Sequence, residues 1–183
     1  ECGHGLYEHG VARELVRTVV RQHGGFELDT DGDSLMVAFA RARDAVAAAV
    51  GSQRATRSVG RLRIGISSAE AIATDEGYTG LGVRGAESIW SAAHSGQILL
   101  SQTARDLLRE TPLDTTEVLD LGEHRLTDLT AAQRLFQLVV PDLEREFPPP
   151  RSLETRPTNL PLQPTPLVGR EREIREVAEL LRR

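Results

Sequence analysis

The chain has 183 residues, with 22 basic and 27 acidic side chains and a net charge of −5. Every basic residue is arginine, so no Schiff base, no lysine of a phosphate-binding loop and no lysine general base can form here. Residues 1–150 hold 15 Arg against 22 acids (−7), which argues against direct nucleic-acid binding by the main body; residues 151–183 hold 7 against 5 (+2).

Residues 11–22 (VARELVRTVVRQ) repeat apolar pairs at helical spacing, and Gly24-Gly25 stops the helix. FELDT and SLMVAF flank Asp31-Gly32, which reads as a β-hairpin. Residues 41–56 set Ala42, Ala45, Val46, Ala49 and Val50 on one face of a second helix. RLRIGISSAEAI (61–72) alternates like a strand. The glycine-rich EGYTGLG (76–82) reads as a loop leading into a third helix, which contains Ile89, Trp90 and Ala93 and ends at Ser95-Gly96. QILLS is a short buried strand, TARDLLRE a helix, TEVLDLGEH a strand, LTDL a turn and RLFQLVV a final strand. The order α-ββ-α-β-α-β-α-β-β predicts an α+β fold, a mostly antiparallel sheet with helices packed on it.

From Pro141 the texture changes. Residues 141–166 hold eight of the nine prolines and read as a linker. Residues 167–183 set Ile174, Val177, Leu180 and Leu181 on one helical face, the opening of a further domain. The chain starts at Glu1 without an initiator Met, as a fragment would. With only seven aromatics the core must be aliphatic. The single Cys2 forms no internal disulfide, which suits a cytoplasmic protein, and no apolar run has a membrane-spanning length.

Few residues offer chemistry. Asp29, Asp31 and Asp33 have D-x-D-x-D spacing, but Ser34 and Ala40 stand where an EF-hand loop needs its glycine and its bidentate Glu. Such a cluster can hold Mg²⁺ with substrate phosphates, or be a solvated acidic turn. The five histidines share no ligand spacing, and Ser67, Ser68, Ser88 and Ser91 lack a nucleophile-elbow context.

Taken in order, GGFELDTDGDSLMVAF, LRIGISSAEA, EGYTGLGVRGAESIWSAAHSGQILLSQTARDLL and LGEHRLTDL…RLFQLV resemble a class III adenylate/guanylate cyclase homology domain, and the last pair its actinobacterial branch. The resemblance covers about residues 10–140 within a domain of residues 1–140. It implies a ferredoxin-like, βαββαβ-derived fold whose first strand, with one metal-binding Asp, is missing from this chain. It also implies ATP or GTP as ligand, Mg²⁺ as cofactor and a head-to-tail homodimer with composite sites. The tail FPPPRSLETRPTNLPLQPTPLVGRERE resembles the junction to a STAND/AAA-type ATPase module in large regulators.

Carried over by residue, the resemblance puts the hairpin metal carboxylate at Asp33, which is retained. It puts the purine-reading Lys at Asp29 and the purine-selecting Asp or Thr at Gly77. The ribose-orienting Asn falls on Arg84 and the transition-state Arg on Ser88. A hydroxyl cannot replace a guanidinium where charge develops on phosphate. The site is therefore expected to be degenerate and the domain to regulate rather than catalyse. The alternatives are an active cyclase rewired through Arg84 and a ligand-free protein-interaction module.

Overall fold

The computed structural model describes residues 4–28, 34–68, 72–74, 77–79, 81–110, 116–127, 129 and 131–153. Helix α1 (His4–Gln22) leads into a hairpin of β1 (Phe26–Glu27) and β2 (Val37–Ala38), and then into α2 (Ala42–Ala55). Strand β3 (Ile64–Ile66) is followed by β4 (Ile72–Thr74), β5 (Gly77–Thr79) and α3 (Leu81–Ala92). The chain continues through β6 (Ile98–Ser101), α4 (Gln102–Glu110), β7 (Glu117–His124) and β8 (Gln133–Val139).

Four strands form the central sheet in the order β3-β6-β8-β7. β3 runs parallel to β6, whereas β6–β8 and β7–β8 are antiparallel. The β1–β2 and β4–β5 pairs are separate antiparallel ribbons. The expected α+β class and mostly antiparallel pairing are both present.

Period-two alternation explains the layering. Successive strand residues point to opposite faces, so a strand buried on both sides reads as a continuous apolar run. Ile98 and Leu100 of β6, with Phe136 and Leu138 of β8, join Val46, Ala49 and Val50 of α2 and Ala104 and Leu108 of α4 in one core cluster. Leu99 and Leu135 face the other way, joining Ile89 and Ala92 of α3, Ala93 just past its end and Leu126 in a second cluster. The sheet is thus sandwiched between α2/α4 and α3. Ile89, Leu99, Leu100, Leu126 and Leu135 are fully buried, and each contributes about 2 kcal/mol of transfer free energy.

The helix ends follow local chemistry. Gly24 takes φ +70°, and the Gly25 amide donates to Val20 O at 2.9 Å, the six-to-one bond of a glycine-terminated helix. Ser101 caps α4 by accepting from the Ala104 amide at 3.1 Å.

Two stretches differ from expectation. Helix α1 begins at His4 rather than near residue 11. Residues 61–72 do not form one strand: β3 stops at Ile66, and Ile72 begins a ribbon whose second limb, β5, falls in the glycine-rich stretch expected as loop. The reason is topological. β3 ends where its three-residue register with β6 ends, and the β4–β5 pairing then satisfies the backbone outside the sheet.

Residues 141–153 contain no helix or strand but lie against the body. The Arg151 amide donates to Ala92 O at 2.9 Å and the Leu153 amide to Arg125 O at 2.8 Å. Residues 154–183, the remaining linker and the expected start of an ATPase-type domain, lie outside the described residues. Among the described residues, no helix is long and apolar enough to cross a membrane.

Helix α3 packs backbone to backbone on β3. A Cβ on Gly65 would stand 2.3 Å from Trp90 N and 2.7 Å from Trp90 Cα. Those atoms belong to a helix and cannot swing aside. Gly65→Ala is therefore expected to lower unfolding stability by about 2 kcal/mol or more, read as a lower denaturant midpoint with an unchanged slope.

Candidate functional site

The positions singled out by resemblance belong to three elements: the β1–β2 hairpin, the β4–β5 ribbon and α3. Asp29 and Asp33 are in the hairpin connection and lie outside the described residues. Gly77 opens β5, paired with Thr74. Arg84 sits in the first turn of α3; its side chain is also outside the described residues. Ser88 stands one helical turn later on the same helix face.

Ser88 is the best-defined of these positions. It is 4% exposed, and its hydroxyl donates to Thr127 O at 2.8 Å. That bond ties α3 to the segment following β7. A buried hydroxyl that already has an acceptor is a structural tie, since breaking it would strand a polar group. Ser91 Oγ likewise donates to Ser88 O at 2.8 Å.

The hairpin is anchored to α1 by charge. Arg17 Nε and Nη2 donate to the two carboxylate oxygens of Glu27 at 2.9 and 2.7 Å, a bidentate pair. Arg17 Nη1 also reaches Glu14 at 2.9 Å. Arg13 Nη2 donates to Ser34 O on the other side of the hairpin connection at 3.4 Å. The Arg17 guanidinium holds the Glu27 carboxyl below its ordinary range, and Glu27 with Glu14 raises the Arg17 pKa. Beside this pair lies a cleft of about 490 Å³ lined by Glu14, Arg17, Val20, Arg21, Gly25, Phe26 and Glu27. The cleft adjoins the base of the hairpin, two residues from Asp29. Its charges are largely spent on one another, and Phe26, 65% exposed, is its apolar edge. Among the described residues, no three His, Cys, Asp or Glu side chains converge to hold a metal ion.

Residue reading alone missed the buried polar groups around α3. Gln97 (1% exposed) and Gln137 (2%) meet inside the domain, Gln97 Nε2 donating to Gln137 Oε1 at 2.8 Å. The signal was in QILLS and RLFQLVV, where a single Gln borders or interrupts an apolar run. Trp90, expected as core, is half-buried, and the Arg63 guanidinium lies 4.7 Å from its ring centroid.

Two measurements check this geometry. Ser88→Ala should cost about 1 kcal/mol by removing the donor to Thr127 O, whereas Ser88→Arg should cost several-fold more by forcing a charge into a closed site; denaturant unfolding of both variants gives the comparison. The Glu27 carboxyl has a depressed pKa when folded, so its pair with Arg17 stabilises above the ordinary carboxylate range and is lost as pH falls through the folded value. The hairpin is expected to stay attached to α1 from neutral pH down through the ordinary carboxylate range and to loosen only below it. NMR titration of the Glu27 and Phe26 signals should record that step.

No family model matches the chain. An uncharacterized protein of Mycobacterium tuberculosis is 38% identical over 163 residues, 87% of this chain and 57% of that protein. The chain thus spans little more than half the length of that relative. Among solved structures, an adenylate/guanylate cyclase/hydrolase from Silicibacter pomeroyi is 25% identical, with a TM-score of 0.62 over 71% of this chain and 80% of that one. A Trypanosoma brucei adenylate cyclase structure in the monomeric state is 20% identical, with a TM-score of 0.68 over 82% of this chain and 86% of the other. With helices on both faces of a mixed sheet, the chain has the fold of the adenylate and guanylate cyclase domains.

Proposed function

We propose that this cyclase-like domain is a regulatory module without efficient turnover. It senses a purine nucleoside triphosphate, ATP or GTP, and pairs with a second copy of the chain within a larger cytoplasmic signalling or transcriptional regulator. An ATPase-type module would follow the linker, beginning at residues 167–183. Mg²⁺ would enter with the nucleotide, with Asp33 as its carboxylate ligand. The magnesium would neutralise phosphate charge, while Asp29 and Gly77, at the purine-reading positions, offer no base-reading donor.

The observation that supports this reading is Ser88. At the position where the resemblance requires an arginine for transition-state charge, the side chain is uncharged, 4% exposed and bonded to Thr127 O. Phosphoryl transfer depends on charge stabilisation more than on covalent chemistry from the protein, so losing that guanidinium removes a principal contribution.

A second reading has one observation in its favour. Helix α3 sets positions 84 and 88 a single turn apart, so the chain carries an arginine one turn from the position at which the resemblance requires one. In that case the domain is an active cyclase with a rewired site.

One assay separates these readings. The chain, incubated with Mg-ATP or Mg-GTP, is expected to form no cyclic AMP or cyclic GMP, while calorimetry at millimolar nucleotide detects binding. Cyclic nucleotide formation abolished by Asp33→Ala would overturn the regulatory reading, and its loss in Arg84→Ala would establish the rewired site. An absence of both turnover and binding would leave a ligand-free interaction module.

A further inference from the structure

The segment after β8 is joined to the domain by contacts of three kinds, two of which reach the C-terminal end of α3. The first is ionic. Asp142 accepts from Arg54 Nη2 at 2.7 Å and Nε at 3.0 Å, and from Arg57 Nη2 at 3.2 Å. Glu144 pairs with Arg61. Arg54, Arg57 and Arg61 form a basic row from the end of α2 towards β3, and the strap lays Asp142 and Glu144 along it.

The second is a buried relay of amides. Gln137 Nε2 donates to the strap carbonyl Arg145 O at 2.8 Å. Gln137 Oε1 accepts from Gln97 Nε2 at 2.8 Å, and Gln97 Oε1 accepts from the His94 amide at 2.9 Å. The strap is therefore the last acceptor in a chain that begins just past the end of α3. Both glutamines are almost fully buried with the strap in place, so Arg145 O is the acceptor that satisfies Gln137 Nε2 there.

The third is a direct tie to α3 and its neighbour. The Arg151 amide donates to Ala92 O, one of the terminal carbonyls of the helix, at 2.9 Å, and the Leu153 amide donates to Arg125 O. His94 Nε2 bonds Pro149 O at 3.0 Å. Ser152, between the two tied amides, is 3% exposed. Arg125 lies two residues before Thr127, the acceptor of Ser88.

We propose that residues 141–153 are a releasable latch that couples the chain beyond residue 153 to the C-terminal end of α3, the helix that carries Arg84 and Ser88. Its exposed acids dock on a basic row and can be screened or pulled away. Its inner face supplies the last acceptor of the Gln97–Gln137 relay and a donor to the helix terminus. Undocking removes both at once, so the end of α3 has two states set by the strap, a packed element biased from outside. This coupling is independent of whether the domain turns over nucleotide.

Hydrogen–deuterium exchange on the 183-residue chain reads the latch directly. In Asp142→Ala/Glu144→Ala, the Arg151 and Leu153 amides should exchange at least about tenfold faster. The His94 amide, at the far end of the relay, should accelerate with them, while amides of β6 and β8 keep their protection. Faster exchange at 151 and 153 with His94 unchanged overturns the coupling. Unchanged exchange at 151 and 153 overturns the ionic docking. If β6 and β8 accelerate by the same factor, the variant has lost global stability and the unaltered chain decides the matter. There, raising the salt from low to about 1 M, where screening acts within ~3 Å, must accelerate the same three amides, and equal protection at both salts overturns the latch.

Discussion

Burial of β6 and β8 on both faces is the constraint from which the other elements take their places. ILLS is buried at all four positions, and β8 is buried from Leu135 to Val139. Neither strand can stand at a solvated surface, so each face needs its own cover. Helices α2 and α4 cover the side of Ile98, Leu100, Phe136 and Leu138, and α3 covers the side of Leu99 and Leu135. Of the two outer strands β7 carries the polar load: it mixes exposed and half-buried residues, and its Asp120 pairs with Arg134 at the start of β8 across the ladder.

That layering decides what the site can be. Helix α3 is pressed on β3 closely enough that only glycine fits at residue 65. Its inward positions Ile89 and Ala92 are core, and Ser88 is drawn into the same buried zone by its bond to Thr127 O. A residue committed in this way acts as part of the frame. The ionic ties sit elsewhere, as Arg17–Glu27 at the hairpin and Arg54–Asp142 and Arg61–Glu144 at the strap. Exposed pairs like these contribute little to global stability. They hold peripheral segments in register on a body stabilised by aliphatic packing.

The residues of the candidate site divide along the same line. Asp33 was marked by its place in the resemblance, since the spacing of its carboxylates alone also suits a solvated turn, and it lies outside the described residues. The meaning of Ser88 was not available from residue type, because a serine on a helix can face solvent, substrate or core. Arg84, four residues earlier, shows the limit of spacing. It places two positions on one face but does not say what that face meets.

By itself the sequence determined the fold class and most of the elements. Helical periodicity marked α2 and α4, glycine and serine punctuation marked the helix ends, and unbroken apolar runs marked β6 and β8. These signals are local, each carried by neighbours within about two turns. Tertiary structure alone decided the sheet order, the split of residues 61–79 into three short strands and the commitment of Ser88 to Thr127. It also decided the return of a proline-rich segment onto the domain, where Arg145 O meets Gln137 and the Arg151 amide meets Ala92 O. Each of these joins residues far apart in the chain through hydrogen bonds or close packing. No local pattern encodes such partners, because the partner is chosen by which surfaces the buried strands bring together.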